Sequence, residues 1–146
     1  MNSIFTRRSV RNFENKPVEK ENIELLLKAA MQAPSAGNQR PWEFIVVQEK
    51  ALQKNLAMAS PYASPVKEAP VSIIVLGNMQ GLMLPDNWQM DLSAATQNIL
   101  LEAVELELGA VWLGIAPVKE RMDHIIHMFN LPKHIVPFAI VSFGYP

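Results

Sequence analysis

The chain has 146 residues, 49% of them hydrophobic, and a formal net charge of -1. These values predict one domain over residues 1–146 with an ample core, and they exclude an overall field that would draw nucleic acid or an anionic membrane. Cysteine is absent, which removes disulfides, thiolate catalysis and cysteine-ligated metals. No apolar run approaches the ~18 residues of a membrane span, and the opening MNSIFTRRS lacks the apolar stretch of a signal peptide. The expectation is a soluble cytoplasmic protein with neither membrane nor nucleic acid as a partner. No repeat, low-complexity tract or linker is present, and the eleven prolines punctuate periodic segments.

In chain order, Asn2 or Ser3 can cap a one-turn helix. RRSVRNF then places Arg7, Arg8 and Arg11 within five residues. If extended, Arg7, Ser9 and Arg11 share a face; if helical, Arg7, Arg8 and Arg11 do. Pro17 suits a helix start, and Ile23, Leu26, Leu27, Ala30 and Met31 follow amphipathic spacing. That helix must stop by Ala33, because Pro34 disfavours the helical conformation before it. PSAGNQRPWEFIVVQ reads as a loop of small and amide residues entering a strand, with Trp42, Phe44 and Val46 on one side and Ile45 and Val47 on the other, both buried. Glu49 to Met58 is expected as a helix, Pro61 to Pro70 as a loop, VSIIVLG as a second buried strand, and Gly77 to Asn87 as irregular chain.

From Asp91 to Gly114 a long helix pattern breaks at Gly109 and becomes a strand, Ala110 to Leu113. Leu92, Ala95, Ile99, Ala103 and Leu106 make one apolar stripe, and Ala94, Leu101 and Leu108 another on the opposite side. Such a helix threads a large core, or packs once on its own sheet and once on a partner chain. Asp91, Asn98, Glu102 and Glu105 fill a narrow polar sector, read as solvated. Lys119 to Phe129 follows as a helix with Met122, Ile125, Ile126 and Phe129 inward, and Ile135 to Phe143 as a fourth strand. The pattern is α+β or a three-layer arrangement around a small central sheet.

The arginine cluster suits a phosphate dianion, since guanidinium forks match phosphate oxygens and Ser9 adds a hydroxyl, although short basic runs are also common as solvated surface. Neither GxxxxGK[ST] nor GxGxxG occurs, so a phosphate would be held mostly by side chains. Ser35, Asn38, Gln39 and Arg40 offer donors and acceptors to a polyhydroxylated or heterocyclic ligand, or simply make a polar loop. His124 and His127 stand at i and i+3 without a further ligand set, and no metal site is expected. No nucleophile with a base and an orienting group is evident, so no catalytic side chain is assigned. Hydride transfer through a bound flavin needs orientation and a donor near N5 but little acid-base machinery, and the sequence suits such an enzyme.

RRSVRNF, PSAGNQRPW and DLSAATQNILLEAVELELGAVWLGIAP, in this order, resemble the three motifs of the FMN-dependent nitroreductase family over nearly the whole chain. The resemblance implies a three-layer α/β/α fold with a small mixed or antiparallel sheet, flanking helices and a long central helix. It implies a homodimer with FMN at the interface, reduced by NADH or NADPH and reoxidised by nitroaromatics, quinones or related small-molecule acceptors. Carried over, Arg7, Arg8, Ser9 and Arg11 hold the FMN phosphate, ribityl chain and pyrimidine edge from one chain. Pro34, Ser35, Ala36 and Asn38 approach the same flavin from the other, and Leu113 and Gly114 offer backbone contacts to the isoalloxazine, glycine allowing close approach. Two departures stand out. Arg40 replaces the Gln common in the family, and the sequence stops at FGYP where relatives continue into a tail with another basic residue, as in a minimal or shortened member. Competing expectations are a flavin-binding module that stores or senses FMN, and a structural dimer with solvated arginines.

Overall fold

The apolar runs that proline and glycine separate in the sequence become a four-stranded sheet in the computed structural model, which describes residues 2–146. Strands β1 (Trp42–Val47), β2 (Val71–Asn78), β3 (Gly109–Gly114) and β4 (Ile135–Gly144) lie in the order β1-β2-β4-β3, every neighbouring pair antiparallel. The helices are α1 (Ser3–Thr6), α2 (Lys20–Met31), α3 (Lys50–Leu56), α4 (Pro65–Glu68), α5 (Trp88–Glu105) and α6 (Lys119–Phe129). Central strand β2 is buried from Val71 to Gly77, as an antiparallel strand is only when both sheet faces are covered. Its alternation supplies both layers. Val71, Ile73 and Val75 pack with Leu26 and Ala30 of α2 and with Leu92, Ala95, Ile99 and Ala103 of α5. Ile74 and Leu76 pack with Leu56 of α3, Val66 of α4 and Ile125 of α6. The fold is therefore α+β in three layers, helices on both faces of one small sheet. Among the described residues no helix is long and apolar enough to cross a membrane.

A proline in a central strand needs an explanation, because it cannot donate to the ladder. The β2–β4 register runs from Val75↔Ala139 to Leu76↔Pro137, so Phe138 is the extra residue of a bulge. A bulge puts two consecutive side chains on one face. Phe138 and Ala139 accordingly both join the α2/α5 core, where Phe138 meets Trp88 at 6.0 Å and Trp112 at 5.9 Å between ring centroids.

Helix α5 begins at Trp88, three residues before the stretch on which the sequence pattern rests, after a 3-10 turn at Pro85–Asn87. Its first stripe behaves as expected: Leu92, Ala95, Ile99 and Ala103 have no exposed surface, and Leu106 at the helix end is half-buried. The second stripe is corrected. Ala94 and Leu101 are half-buried, but Leu108 has left the helix and is buried in the same core. What stops the helix is also different from the Gly109 break read in the sequence. Leu108 N–H donates to Ala103 O at 2.8 Å and Glu107 N–H to Val104 O at 3.0 Å, with Glu107 in the left-handed region at φ 60. This is a Schellman stop with glutamate in the place glycine usually takes. In α2 the inward residues are Ile23, Leu26 and Ala30, while Met31, expected inward, is 47% exposed because the helix ends there. The Pro61 to Pro70 loop contains the short α4, and α6 has the bounds its periodicity predicts.

The chain end is strapped to the segment before α2. Tyr145 O accepts from Glu14 N–H at 2.8 Å, Lys16 Nζ stands 4.1 Å above the Tyr145 ring, and the Tyr145 hydroxyl donates to the Glu19 carboxylate. That hydrogen bond lowers the Glu19 pKa and raises the Tyr145 pKa from their ordinary values.

Candidate functional site

The arginine segment is extended, not helical. Asn2 caps α1 by accepting from Ile4 N–H, and at Arg7 the backbone turns to φ -59, ψ 136. Ser9 then pairs with Ala110 of β3 in a parallel bridge, and Val10 N–H donates to Ala110 O at 2.9 Å. Gly109 permits this docking, because a Cβ there would lie 2.7 Å from Val10 Cβ. Alternation along the extended segment sets Arg7, Ser9 and Arg11 to one side and Arg8 to the other. Arg7 is half-buried and Arg8, Ser9 and Arg11 are exposed. Among the described residues the ion pairs are Lys20 with Glu24 and Lys119 with Asp123, so these arginines carry uncompensated charge.

The segment docks at the Gly109–Ala110 start of β3, and Arg11 shares a cleft with Trp112, Leu113 and Gly114 at the strand's other end. Leu113 is only 5% exposed, its side chain packed into the α6 layer. Gly114 is exposed, and a Cβ built on it would meet nothing within 4 Å. The ladder fixes which way its N–H points. Ile115 N–H donates towards β4, to Phe138 O at 3.2 Å, and Ala110 O faces the arginine segment, so Gly114 shares the outward parity of Ala110. Its N–H therefore stands on the open edge of β3. Its carbonyl accepts from Arg121 Nη1 at 3.1 Å. Arg11, Tyr62, Trp112, Leu113, Gly114 and Arg121 line a cleft of about 490 Å³. Tyr62 and Arg121 carried no signal in the sequence, since their neighbours come from separate elements.

The Pro34 to Arg40 loop is held elsewhere. It contains a 3-10 turn, Ala36–Asn38, with positive φ at Gly37 (55), Asn38 (55) and Arg40 (44). Asp91 holds it: Oδ1 accepts from Ala36 N–H and Oδ2 from Gln39 Nε2, each at 2.8 Å. Gln39 also donates to Leu84 O at 2.9 Å and accepts from Leu84 N–H at 3.2 Å. Ser35 Oγ accepts from Arg40 N–H at 3.0 Å. One expectation is corrected and one open choice narrowed: Asp91, read as solvated, is 4% exposed, and Gln39, read either as a ligand donor or as loop polarity, spends its amide on Asp91 and Leu84. Asn98 of the same sector is a second clamp, its Nδ2 donating to Ala29 O at 2.9 Å, while Glu105 is exposed as expected.

Pro34 and Asn38 are exposed, and Ser35 and Ala36 half-buried. None of the four lines the Gly114 cleft. Asn38 borders a depression of about 420 Å³ with Met31, Arg40 and Trp42, and Ala36 borders another beside Gln80 to Leu84. One chain thus brings Arg11, Leu113 and Gly114 together and keeps the Pro34 to Asn38 loop apart from them. His124 is engaged with Asn55 O at 2.9 Å and His127 is exposed. Among the described residues no group of three His, Asp or Glu is placed to hold a metal.

The family model described as "Nitroreductase family" matches residues 4–71 and 62–145. A protein of Methanothermobacter thermautotrophicus, provisionally named NADH dehydrogenase/NAD(P)H nitroreductase, is 42% identical over 100% of this chain and 76% of its own length. The chain belongs to the nitroreductase family. Its fold is that of solved members. A Clostridium acetobutylicum protein provisionally named NADH oxidase superposes with a TM-score of 0.97 at 51% identity, covering 99% of this chain and 87% of that one. A Desulfovibrio desulfuricans protein provisionally named nitroreductase, solved in complex with FMN, superposes with a TM-score of 0.87 at 30% identity, covering 99% and 84%. Relatives of this kind are named as oxidoreductases of NAD(P)H.

Proposed function

We propose that the protein is an FMN-dependent NAD(P)H oxidoreductase that reduces nitroaromatics, quinones or related small acceptors. The observation that carries this reading is the arginine segment laid against β3, its charges unpaired, with Arg11 in one cleft with an open glycine whose N–H stands on the strand's open edge. The residues present fit FMN. Arg7, Arg8, Ser9 and Arg11 supply charge-assisted donors for the phosphate, ribityl chain and pyrimidine edge. Leu113 and Gly114 supply backbone at the isoalloxazine, where the missing side chain leaves room and the free N–H can bond a ring nitrogen. Bound FMN supplies reversible two-electron hydride chemistry between NADH or NADPH and the acceptor. The chain's own part is to bind, orient and limit access.

The Pro34, Ser35, Ala36 and Asn38 loop completes the site from a second copy. Within one chain it stands away from the Gly114 cleft. A face for that second copy exists around α5: Ala94 and Leu101 are half-buried, and Ile4 and Phe5 of the adjoining α1 are 66% and 85% exposed. Covering such apolar surface stabilises by roughly 25 cal/mol per Å², before association costs. We place the homodimer in the cytoplasm, where NADH and NADPH are at hand.

The test is the visible spectrum of the purified protein before and after NADH or NADPH is added without oxygen. Flavin bands that bleach, and return on adding an acceptor, are expected. Bands that persist would leave a flavin-holding module, and no flavin even after incubation with FMN would remove the reading.

A further inference from the structure

The cleft beside Gly114 contains two arginines and no carboxylate. Arg11 is taken up by the cofactor in the reading above, which leaves Arg121 as the second cation of the cleft among the described residues. Its guanidinium is fixed by two contacts. One N–H bonds Gly114 O at 3.1 Å, and the group stands 5.4 Å from the Tyr62 ring centroid, within cation–π range. Only one of its five N–H donors is used by the bond to Gly114. On its own helix Asp123 is held by Lys119 at 2.7 Å, Glu120 is exposed, and among the described residues Arg121 is in no ion pair. A flat cation beside the exposed Tyr62 ring offers both a fork for a carboxylate or sulfonate and aromatic surface for a ring. A concavity of about 320 Å³ at the opposite end of the sheet sets Lys16, Lys50 and Lys67 against Glu14 and Glu68 and has no aromatic ring, so it lacks this complementarity.

We propose that Arg121 is a specificity-determining residue of the cleft, and that the acceptors it favours are planar aromatic anions: carboxylates or sulfonates on electron-poor rings. The inference rests on the FMN-dependent reduction of small acceptors proposed above, and adds that the acceptor meets the flavin in this cleft. The competing account is structural, with Arg121 merely tying α6 to the end of β3. The two differ in whether the charge of the ligand matters.

The experiment is calorimetric titration of the purified protein with para-nitrobenzoate and with para-nitrobenzamide, which match in shape and differ in charge. Turnover of both acceptors with NADH or NADPH is measured in parallel. The wild-type protein is expected to bind the benzoate more tightly, and Arg121→Gln to reduce the benzoate-to-benzamide preference by about tenfold or more, the range of one charge-assisted contact. Arg121→Lys is expected to keep part of the preference, since it keeps the charge and loses the fork. A wild-type protein without preference would overturn the proposal, as would a ratio unchanged in Arg121→Gln. Flavin reduction with no preference sinks the role of Arg121 alone. A preference without any reduction by NADH or NADPH sinks the proposed enzyme and leaves an anion-selective cleft.

Discussion

Replacing Asp91 with asparagine separates a clamp from a solvated carboxylate, because the change keeps the volume and removes the charge. Asp91 is 4% exposed and accepts two hydrogen bonds of 2.8 Å, from Ala36 N–H and Gln39 Nε2. In Asp91→Asn one of the two acceptors becomes an amide that faces a donor. Turning the Gln39 amide does not rescue it, since Gln39 Nε2 also donates to Leu84 O and its Oε1 accepts from Leu84 N–H. One bond to a charged group is lost, worth about 1.5–3 kcal/mol, and a buried donor is left facing another. With a melting shift of about 2–4 °C per kcal/mol at this chain size, the midpoint should fall by roughly 3–12 °C. Calorimetry at one fixed protein concentration measures that, and hydrogen exchange at Ala36 N–H localises it. A midpoint within about 1 °C of wild type, with Ala36 still protected, would refute the clamp.

Arg8→Ala should weaken FMN binding about ten- to a hundredfold, the range of one charge-assisted phosphate contact, while the exposed Lys133→Ala does little; equal losses in an FMN titration would remove the phosphate assignment. Glu107→Gly should raise stability by about 1 kcal/mol, because Glu107 occupies the left-handed stop of α5 at φ 60; denaturant unfolding with no gain would show that the position is not strained. The Tyr145 to Glu19 bond predicts a pH window. The depressed Glu19 pKa gives stability present above the unfolded value and lost as pH falls through the folded one. The raised Tyr145 pKa gives stability present below its unfolded value and lost as pH rises through the folded one. The gap between wild type and Tyr145→Phe should therefore be level near neutrality and close below about pH 4 and above about pH 10; a gap that persists at both ends would contradict it.

Periodicity made much of this fold legible. The bounds of α6, the two-faced burial of β2 and the fully buried stripe Leu92, Ala95, Ile99 and Ala103 all follow from apolar spacing alone. It failed where a polar residue is satisfied by a distant partner. Asp91 looks like one more exposed carboxylate until the Ala36 turn, 55 positions away, is laid against it. Leu108 sits at helical spacing yet belongs to the stop, because a Schellman turn can be closed by Glu107 and leaves no glycine signature. The sequence shows the glycine at position 109, but not that its missing Cβ makes room for Val10 and so for the arginine segment. Tyr62 and Arg121 come from different elements and meet in three dimensions beside Gly114. No spacing rule in one chain connects them.

The shared site is tested most directly by sedimentation of the wild-type protein, with protein and flavin absorbance followed together at micromolar concentration. The account predicts that flavin travels with a species of twice the 16.4 kDa chain mass, and that dilution releases flavin and dissociates the dimer together. A folded monomer that carries FMN would contradict it.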